Sequence, residues 1–266
     1  MNSERWIPER VPLDRPSAAR IYDYMLGGYH NFEVDRKVAH QLLEVWPESR
    51  LGAMANRAFL RRAVRFLMEQ GIDQILDLGS GIPTVGNVHE VAEVVNPGAR
   101  VVYVDIDPIA VAHSRAMLED NPRATAIRAD VRKPQAILDD PEVQSLLDLE
   151  RPLGLLLVAI LHYVVDDTEA LGAMGTFRDA MVPGSYCVIA HSGSESLGKK
   201  RMREVFSKVT TTRARDPDTI LQLFDGFELV EPGLVQTPLW RPEGPDDIFL
   251  DEPEKALTLA GIARKP

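Results

Sequence analysis

Apolar residues follow two rhythms along this chain, and the change between them comes near residue 72. Before that point the spacing is helical. Ala18, Ile21, Tyr22, Met25 and Leu26 share one helical face behind Ser17 as N-cap, and Gly27-Gly28 stops the helix. Val34, Val38, Leu42 and Val45 predict a second amphipathic helix, ended by Pro47. Phe59, Ala63, Phe66 and Leu67 predict a third, ended by Gly71. Residues 1–16 are polar, with Pro8, Pro12 and Pro16, and read as an irregular arm.

After residue 72 short apolar runs alternate with helical stretches. Strands are predicted at Gln74–Leu78, 100–104, Ala124–Arg128, 153–160 and 185–190. Between them fall a Val88, Val91, Ala92, Val95 stripe and a helix at 108–118 with Asp107 as its cap and Pro108 at its first position. Further helices are expected at 136–149, broken by Pro141, at 168–181, closed by Pro183-Gly184, and at 196–209. Alternation of this kind predicts parallel βαβ units with right-handed crossovers. Two later apolar runs, 226–230 and 257–263, flank a Pro-rich stretch and are expected to pair at one sheet edge. The reading is one α/β domain with an N-terminal helical extension: arm and helices over 1–70, core over 71–266.

Composition narrows the classes. A chain of 266 residues can bury a full core without disulfides or metals. Its net charge of −10 argues against sequence-independent nucleic-acid binding, which rests on Lys and Arg neutralising phosphates. Two basic clusters, Arg57, Arg61, Arg62, Arg65 and Lys199, Lys200, Arg201, Arg203, read as solvated helix faces. A single cysteine, Cys187, excludes an internal disulfide and a Cys-based zinc site. The longest apolar run, 153–161, is nine residues, too short to span a bilayer, and the N-terminus lacks a signal-peptide core. A cytoplasmic protein with no membrane or nucleic-acid partner is expected.

The chemistry concentrates at predicted strand ends. Ile75-Leu76-Asp77-Leu78-Gly79-Ser80-Gly81 runs an apolar strand into a glycine turn, where backbone and ligand can approach closely. Asp105 ends the second strand, 24 positions after Gly81, followed by Ile106. An acidic residue there can accept both hydroxyls of a ribose. A helix cap is its plain alternative, but Asp107 before Pro108 fills that place better. Ala129-Asp130-Val131 ends the third strand, beside the first two, where a carboxylate can accept from an exocyclic amine. A dinucleotide fingerprint wants a third glycine where this chain has Thr84, and Pro83 removes an amide donor. A cofactor without phosphate does not need that geometry.

The fourth strand ends Val158-Ala159-Ile160-Leu161-His162-Tyr163, across the switch point from the glycine turn. His162 and Tyr163 are the candidate catalytic residues, with His162 as a general base and a loop-held histidine as the plain alternative. His191 is a second candidate. His30, His40, His89 and His113 show no metal-ligand spacing, and His89-Glu90 reads as structural. Around Gly27-Gly28, polar and aromatic residues are dense, so the first helix reads either as a lid or as a fixed part of the core.

Asp77-Leu78-Gly79-Ser80-Gly81, Asp105 and Ala129-Asp130-Val131 resemble the successive cofactor motifs of S-adenosylmethionine-dependent methyltransferases of the seven-stranded Rossmann-like type. More narrowly, 17–28, Asn31-Phe32, 56–60, His89-Glu90-Val91 and Pro238-Leu239-Trp240-Arg241-Pro242 resemble an actinobacterial methyltransferase-like family of unknown substrate, over roughly residues 16–265. The resemblance implies a doubly wound, mostly parallel sheet of order 3-2-1-4-5-7-6 with strand 7 antiparallel. It implies S-adenosylmethionine as cofactor. The glycine turn with Gly79, Ser80 and Gly81 would hold its methionine part, Asp105 its ribose, and Asp130 with Val131 its adenine, and Asp77, Ile106 and Ala159 are further cofactor-binding candidates. Tyr22 and Arg57 are candidates for its carboxylate end, and His162 and Tyr163 would face the transferred methyl group or the substrate. Pro83 departs from the third glycine common in such enzymes. The expected activity is methylation of an unidentified small-molecule acceptor. A cofactor-binding sensor or interaction protein without turnover is the alternative, and an NAD-linked oxidoreductase is disfavoured by Pro83 and Thr84.

Overall fold

Five apolar segments form the parallel strands their pattern predicts: β1 (Gln74–Leu78), β2 (Arg100–Asp105), β3 (Ala124–Arg128), β4 (Gly154–Val158) and β5 (Tyr186–Ser192). The computed structural model describes residues 14–84, 86–194, 199–244 and 247–266, with the side chains of 199–201 and 203 outside that description. The predicted arm over 1–13, the second basic cluster and residues 196–198 of the predicted last helix therefore lie outside the described residues or side chains. Strand β8 (Thr258–Arg264) lies antiparallel to β5 along its whole length, and β6 (Glu228–Leu229) lies antiparallel to β8. The order is β3-β2-β1-β4-β5-β8-β6, with β8 in the place of the expected seventh strand. The sheet has one strand more than expected. That strand, β7 (Val235–Gln236), pairs farther along the same edge of β8. Pro232, which has no N–H to donate, stands between the two edge pieces.

Strand neighbours alternate between two apolar layers. Ile75, Val101, Tyr103, Leu156 and Val188 join the layer containing Phe59, Ala63 and Leu67 of α3 (Ser49–Glu69), with α4 (Val88–Val95) and α5 (Pro108–Met117). Leu76, Val102, Val104, Leu155 and Ile189 join the layer of α6 (Pro134–Leu138), α7 (Pro141–Leu146), α8 (Asp167–Ala180) and α10 (Pro217–Gln222). This is a doubly wound α/β sheet. Helix α3 extends well beyond the stripe that predicts it. Its early turns hold the small residues Gly52, Ala53 and Ala55, all buried, so the helix packs tightly there without a bulky apolar stripe.

A third apolar cluster lies apart from both layers. Ile21 and Met25 of α1 (Ala18–Met25), Val38, Ala39 and Leu42 of α2 (Glu33–Val45), Ala53 of α3 and Val205 of α9 (Lys199–Phe206) pack together. These helices form a cap joined to the sheet layers through α3.

Three local expectations change. Ser17 stands at the N-cap of α1, but its hydroxyl donates to the Asp107 carboxylate and its amide to Asp35 Oδ1 at 2.9 Å. The first basic cluster is not a solvated face throughout. Arg62 is buried and donates to the carbonyls of Trp240 at 2.9 Å and Thr237 at 2.7 Å, anchoring the Pro-rich stretch on α3. The fourth strand stops at Val158, because Ala159 takes a left-handed conformation (φ 61°) and turns the chain into one 3-10 turn at Leu161–Tyr163. Among the described residues no helix is long and apolar enough to cross a membrane.

Candidate functional site

The order reverses between β1 and β4, and the loops leaving these strands meet there. Gly79 (φ 72°) is required by that meeting, since a Cβ on it would lie 2.4 Å from Ile160 Cγ1. Gly81 (φ 69°) differs: a Cβ there would meet open space, so only its backbone conformation requires glycine. Gly79→Ala should therefore destabilise the fold by about 2–4 kcal/mol, from left-handed strain plus overpacking. Gly81→Ala should lose only about 1–2 kcal/mol, from strain alone. Equal losses in urea denaturation would contradict this division.

The turn does not present its amides as a phosphate loop does. Gly79 and Ser80 donate to Val104 O at 2.8 and 3.1 Å, and Gly81 donates to Asp105 Oδ2 at 2.7 Å. The other oxygen of Asp105 accepts from the Asp107 amide at 2.8 Å, while Asp107 caps α5 through Ile109 N–H. Asp105 is thus fixed at the tip of β2. Burial pushes its carboxyl up to about 6. Burial likewise pushes Asp77 up to about 7, with Arg57 opposing and the Asp105 charge adding to the rise. Asp130 has the opposite character: Arg132 grips it and holds its pKa below the ordinary carboxylate range. Ile106, beside Asp105, is apolar yet 54% exposed.

On the other side of the switch point, the turn carrying His162 and Tyr163 is clamped from behind. Buried Arg215 donates to Leu161 O at 3.0 Å and Val164 O at 2.8 Å, and the Arg213 amide donates to His162 O at 2.7 Å. Arg215 also pairs with Asp167 at 2.9 Å and donates to His191 Nε2 at 2.8 Å. Because β5 pairs with β8 as far as Ser192, His191 lies inside the strand and not in a loop. Burial first, then the Arg215 charge, lowers its pKa to about 4. A neutral ring that accepts from Arg215 has no lone pair for a reacting proton, so His191 is a structural histidine. Its ring centroid stands 5.8 Å from that of His162, the two rings edge to face, and the His162 centroid lies 4.3 Å from that of Tyr163. Burial raises the Tyr163 hydroxyl above its ordinary pKa.

From the cap, the Tyr22 hydroxyl donates to Ala53 O at 3.1 Å and accepts from Asn56 Nδ2 at 3.0 Å. Arg57 donates to Thr84 Oγ1 at 2.6 Å, which ties α3 to the residue standing at the absent third glycine. The cap is itself well fastened. Arg20 and Asp35 form a buried ion pair at 2.8 Å. Asp23 accepts from His30 N and Asn31 Nδ2 at 2.9 Å each, and Gly28 lies so close that a Cβ would come within 2.0 Å of Asp23. The Gly27-Gly28 turn is pinned, not loose. His89 bonds the Tyr103 hydroxyl at 2.7 Å, as its structural reading expects. The described residues include no cluster of three His, Cys, Asp or Glu able to hold a metal.

These parts enclose one cavity of about 620 Å³, within the range of roughly 300–1,000 Å³ usual for small-ligand sites. Tyr22, Arg57, Asp77, Gly79, Ser80, Gly81, Asp105, Ile106, Asp130, Val131, Ala159, His162 and Tyr163 all line it. Walls that no motif signals include Trp46, Met202, Phe206, Thr210, Thr212 and Ala256–Thr258. Trp46 reads only as a residue before a helix-ending proline, and Arg215 stands in a loop with no motif around it.

Residues 4–266 match the model of a family described as S-adenosyl methyltransferase. The chain belongs to the S-adenosyl methyltransferase family. It is similar to a protein of Thermobifida fusca YX described as a methyltransferase, with 44% identity over 98% of both chains and a TM-score of 0.91. A DUF574 family protein from Streptomyces avermitilis shares 36% identity over 97% of this chain and 100% of its own, with a TM-score of 0.92. Human N-acetylserotonin methyltransferase, solved with S-adenosylmethionine, is 17% identical over 94% of this chain and 63% of its own, with a TM-score of 0.52, a likeness of fold. No curated protein matches the chain. The enzyme is an S-adenosylmethionine-dependent methyltransferase, and S-adenosylmethionine is its cofactor. The site's chemistry suits that group. Its strand tips offer carboxylates to neutral hydroxyls and amines, and its glycine turn spends amides on β2 that a phosphate would need.

Proposed function

We propose that this enzyme methylates a small molecule held between the cap, the His162-Tyr163 turn and Ala256–Thr258. The observation that carries the reading is the roofing of the cavity: the same space is walled by strand tips and by cap residues Met25, Leu42, Met202 and Phe206. A macromolecular acceptor would have to insert a residue beneath those cap side chains to reach the strand tips. In this reading Asp105 accepts the ribose hydroxyls, Ile106 and Val131 flank the adenine, and Asp130 accepts from its amine. The turn from Asp77 to Gly81 and the strained Ala159 border the methionine part, and Arg57 meets its carboxylate. Tyr22 adds its ring, since its hydroxyl is bonded within the cap. The α1–α2 pair acts as a lid that excludes water.

Bound S-adenosylmethionine supplies a methyl group on a positively charged sulfur. Alignment of the acceptor against it provides much of the rate. For a hydroxyl acceptor, His162 takes the proton released as the new O–C bond forms. With methyl-labelled cofactor and an extract of the native host, label should pass to the small-molecule fraction. Label found only in protein or nucleic acid would overturn the reading, and no transfer at all would favour a sensor. With a hydroxyl acceptor so identified, His162→Ala should lower kcat about 100-fold, the low end for a general base because cavity water can take the proton. Unchanged turnover would remove His162 from the chemistry.

Acidity provides a separate check. Asp105 must be ionised to accept two hydroxyls, so cofactor affinity should be level at higher pH and fall as pH drops through about 6. Folding stability moves the other way. Asp105 and Asp77 both titrate higher in the folded chain than in the unfolded one. The stability they confer is complete below the ordinary carboxylate range and is lost as pH rises through about 6 and about 7. Calorimetric titration from pH 5 to pH 8 reads the binding limb, which Asp105→Asn should abolish; a variant that keeps the limb would contradict its origin in Asp105.

A further inference from the structure

Gly52 lies inside the 21-residue helix α3, where glycine is a destabilising choice. What it permits is close packing. A Cβ at position 52 would lie 2.9 Å from Cζ2 and Cη2 of Trp46, so the indole seats on α3 because that position carries no side chain. The indole is only half-buried and forms part of the cavity wall. Its place in the cavity follows from its neighbours. The same Cβ would lie 3.6 Å from Ala256 O, and two residues on, Thr258 pairs with Ser192, next to the His191 that stands against His162. Trp46 is thereby linked, through Ala256 and β8, to the β5 side of the sheet, whose His191 stands against His162.

Charge divides the lining in the same way. The described Asp and Arg residues on the wall lie on α1 and its approach, at Arg57, or at the tips of β1–β3. The lining contributed by α2, α9 and the segment after it includes Leu42, Met202, Phe206 and Val209, with hydroxyls from Thr210 and Thr212. Among the described residues, no Asp, Glu, Lys or Arg side chain stands there to repay a charged acceptor for its lost hydration. A flat apolar ring would bury its faces and stack on the indole. We propose that the methyl acceptor is a planar, uncharged aromatic molecule stacked on Trp46, with Gly52 the residue that seats the indole. This rests on the small-molecule reading above.

Two probes test it: 2-naphthol and 6-hydroxy-2-naphthoate, which share a ring system and differ by a carboxylate. Each is titrated calorimetrically into the protein saturated with S-adenosylhomocysteine. The naphthol should bind at least about tenfold more tightly than the naphthoate, because the carboxylate loses hydration unpaired. Trp46→Leu keeps an apolar side chain without the aromatic plane. It should weaken naphthol binding about tenfold, the scale of an aromatic stacking loss, and leave S-adenosylhomocysteine affinity unchanged. Gly52→Ala should displace the indole and do the same. Equal or tighter binding of the naphthoate, no binding of the naphthol, or a Trp46→Leu variant with wild-type naphthol affinity would overturn the proposal. None of these would disturb the small-molecule reading, which extract labelling measures independently.

Discussion

Asp105→Ala should raise the Kd for S-adenosylmethionine about 10²- to 10⁴-fold. Each hydrogen bond to a charged acceptor contributes about 1.5–3 kcal/mol, and two ribose hydroxyls meet this carboxylate in the proposed complex. Tenfold in affinity is about 1.4 kcal/mol. The substitution also releases the Gly81 and Asp107 amides, bonded at 2.7 and 2.8 Å, so the glycine turn and the start of α5 lose their common anchor. Asp105→Asn keeps the size but sets an NH₂ group among donors, and it should fall between the two. Titration calorimetry with unchanged affinity in Asp105→Ala would remove the residue from the ribose site. Tighter binding of NADH than of S-adenosylmethionine would count against the whole arrangement of the strand tips.

Asp35→Ala should be the most damaging single change in the cap, at about 3–5 kcal/mol. Removing one partner of a buried ion pair leaves the other charge buried and uncompensated, and here the Arg20 side chain is only 3% exposed. Asp35 also accepts from the amides of Ser17 and Phe32 at 2.9 Å each, so the loss reaches the start of both α1 and α2. The cap packs in its own apolar cluster, separate from the two sheet layers. Damage should therefore be local. Hydrogen exchange across 17–45 should accelerate while β1, β4 and β5 stay protected. The double variant Arg20→Met, Asp35→Leu removes both charges and should recover much of the stability. Uniform acceleration over the sheet would show that the cap and core fold as one unit.

How much of this was legible in the sequence differs by element. The parallel strands were, because strands covered on both faces read as continuous apolar runs and their tips carry Gly79, Asp105 and Asp130 at regular intervals. The edge was less so. Strands β6 and β7 are two residues each, and their pairing depends on β8 and not on a pattern of their own. The end of β4 was hidden because Ala159, Ile160 and Leu161 continue the apolar run while Ala159 turns the backbone away. At the site, the strand-tip residues could be found by motif. The clamp could not: Arg215 and His191 stand 24 positions apart and meet only through the fold, where they fix the turn carrying His162. Arg62 looked like part of an exposed basic face because helical spacing alone does not reveal that Thr237 and Trp240 cover it. Trp46 and Gly52 were silent for the same reason, being informative only as a pair.

In the proposed complex, one cavity holds S-adenosylmethionine along the tips of β1, β2 and β3 and opens its reactive end toward the His162-Tyr163 turn. A crystal structure of the complex with S-adenosylhomocysteine measures this most directly. Both ribose hydroxyls should lie within hydrogen-bond distance of the Asp105 carboxylate, the adenine between Ile106 and Val131, and the sulfur should face the space between His162 and Trp46. A ribose bound away from Asp105, or a sulfur turned away from the His162 side of the cavity, would contradict it.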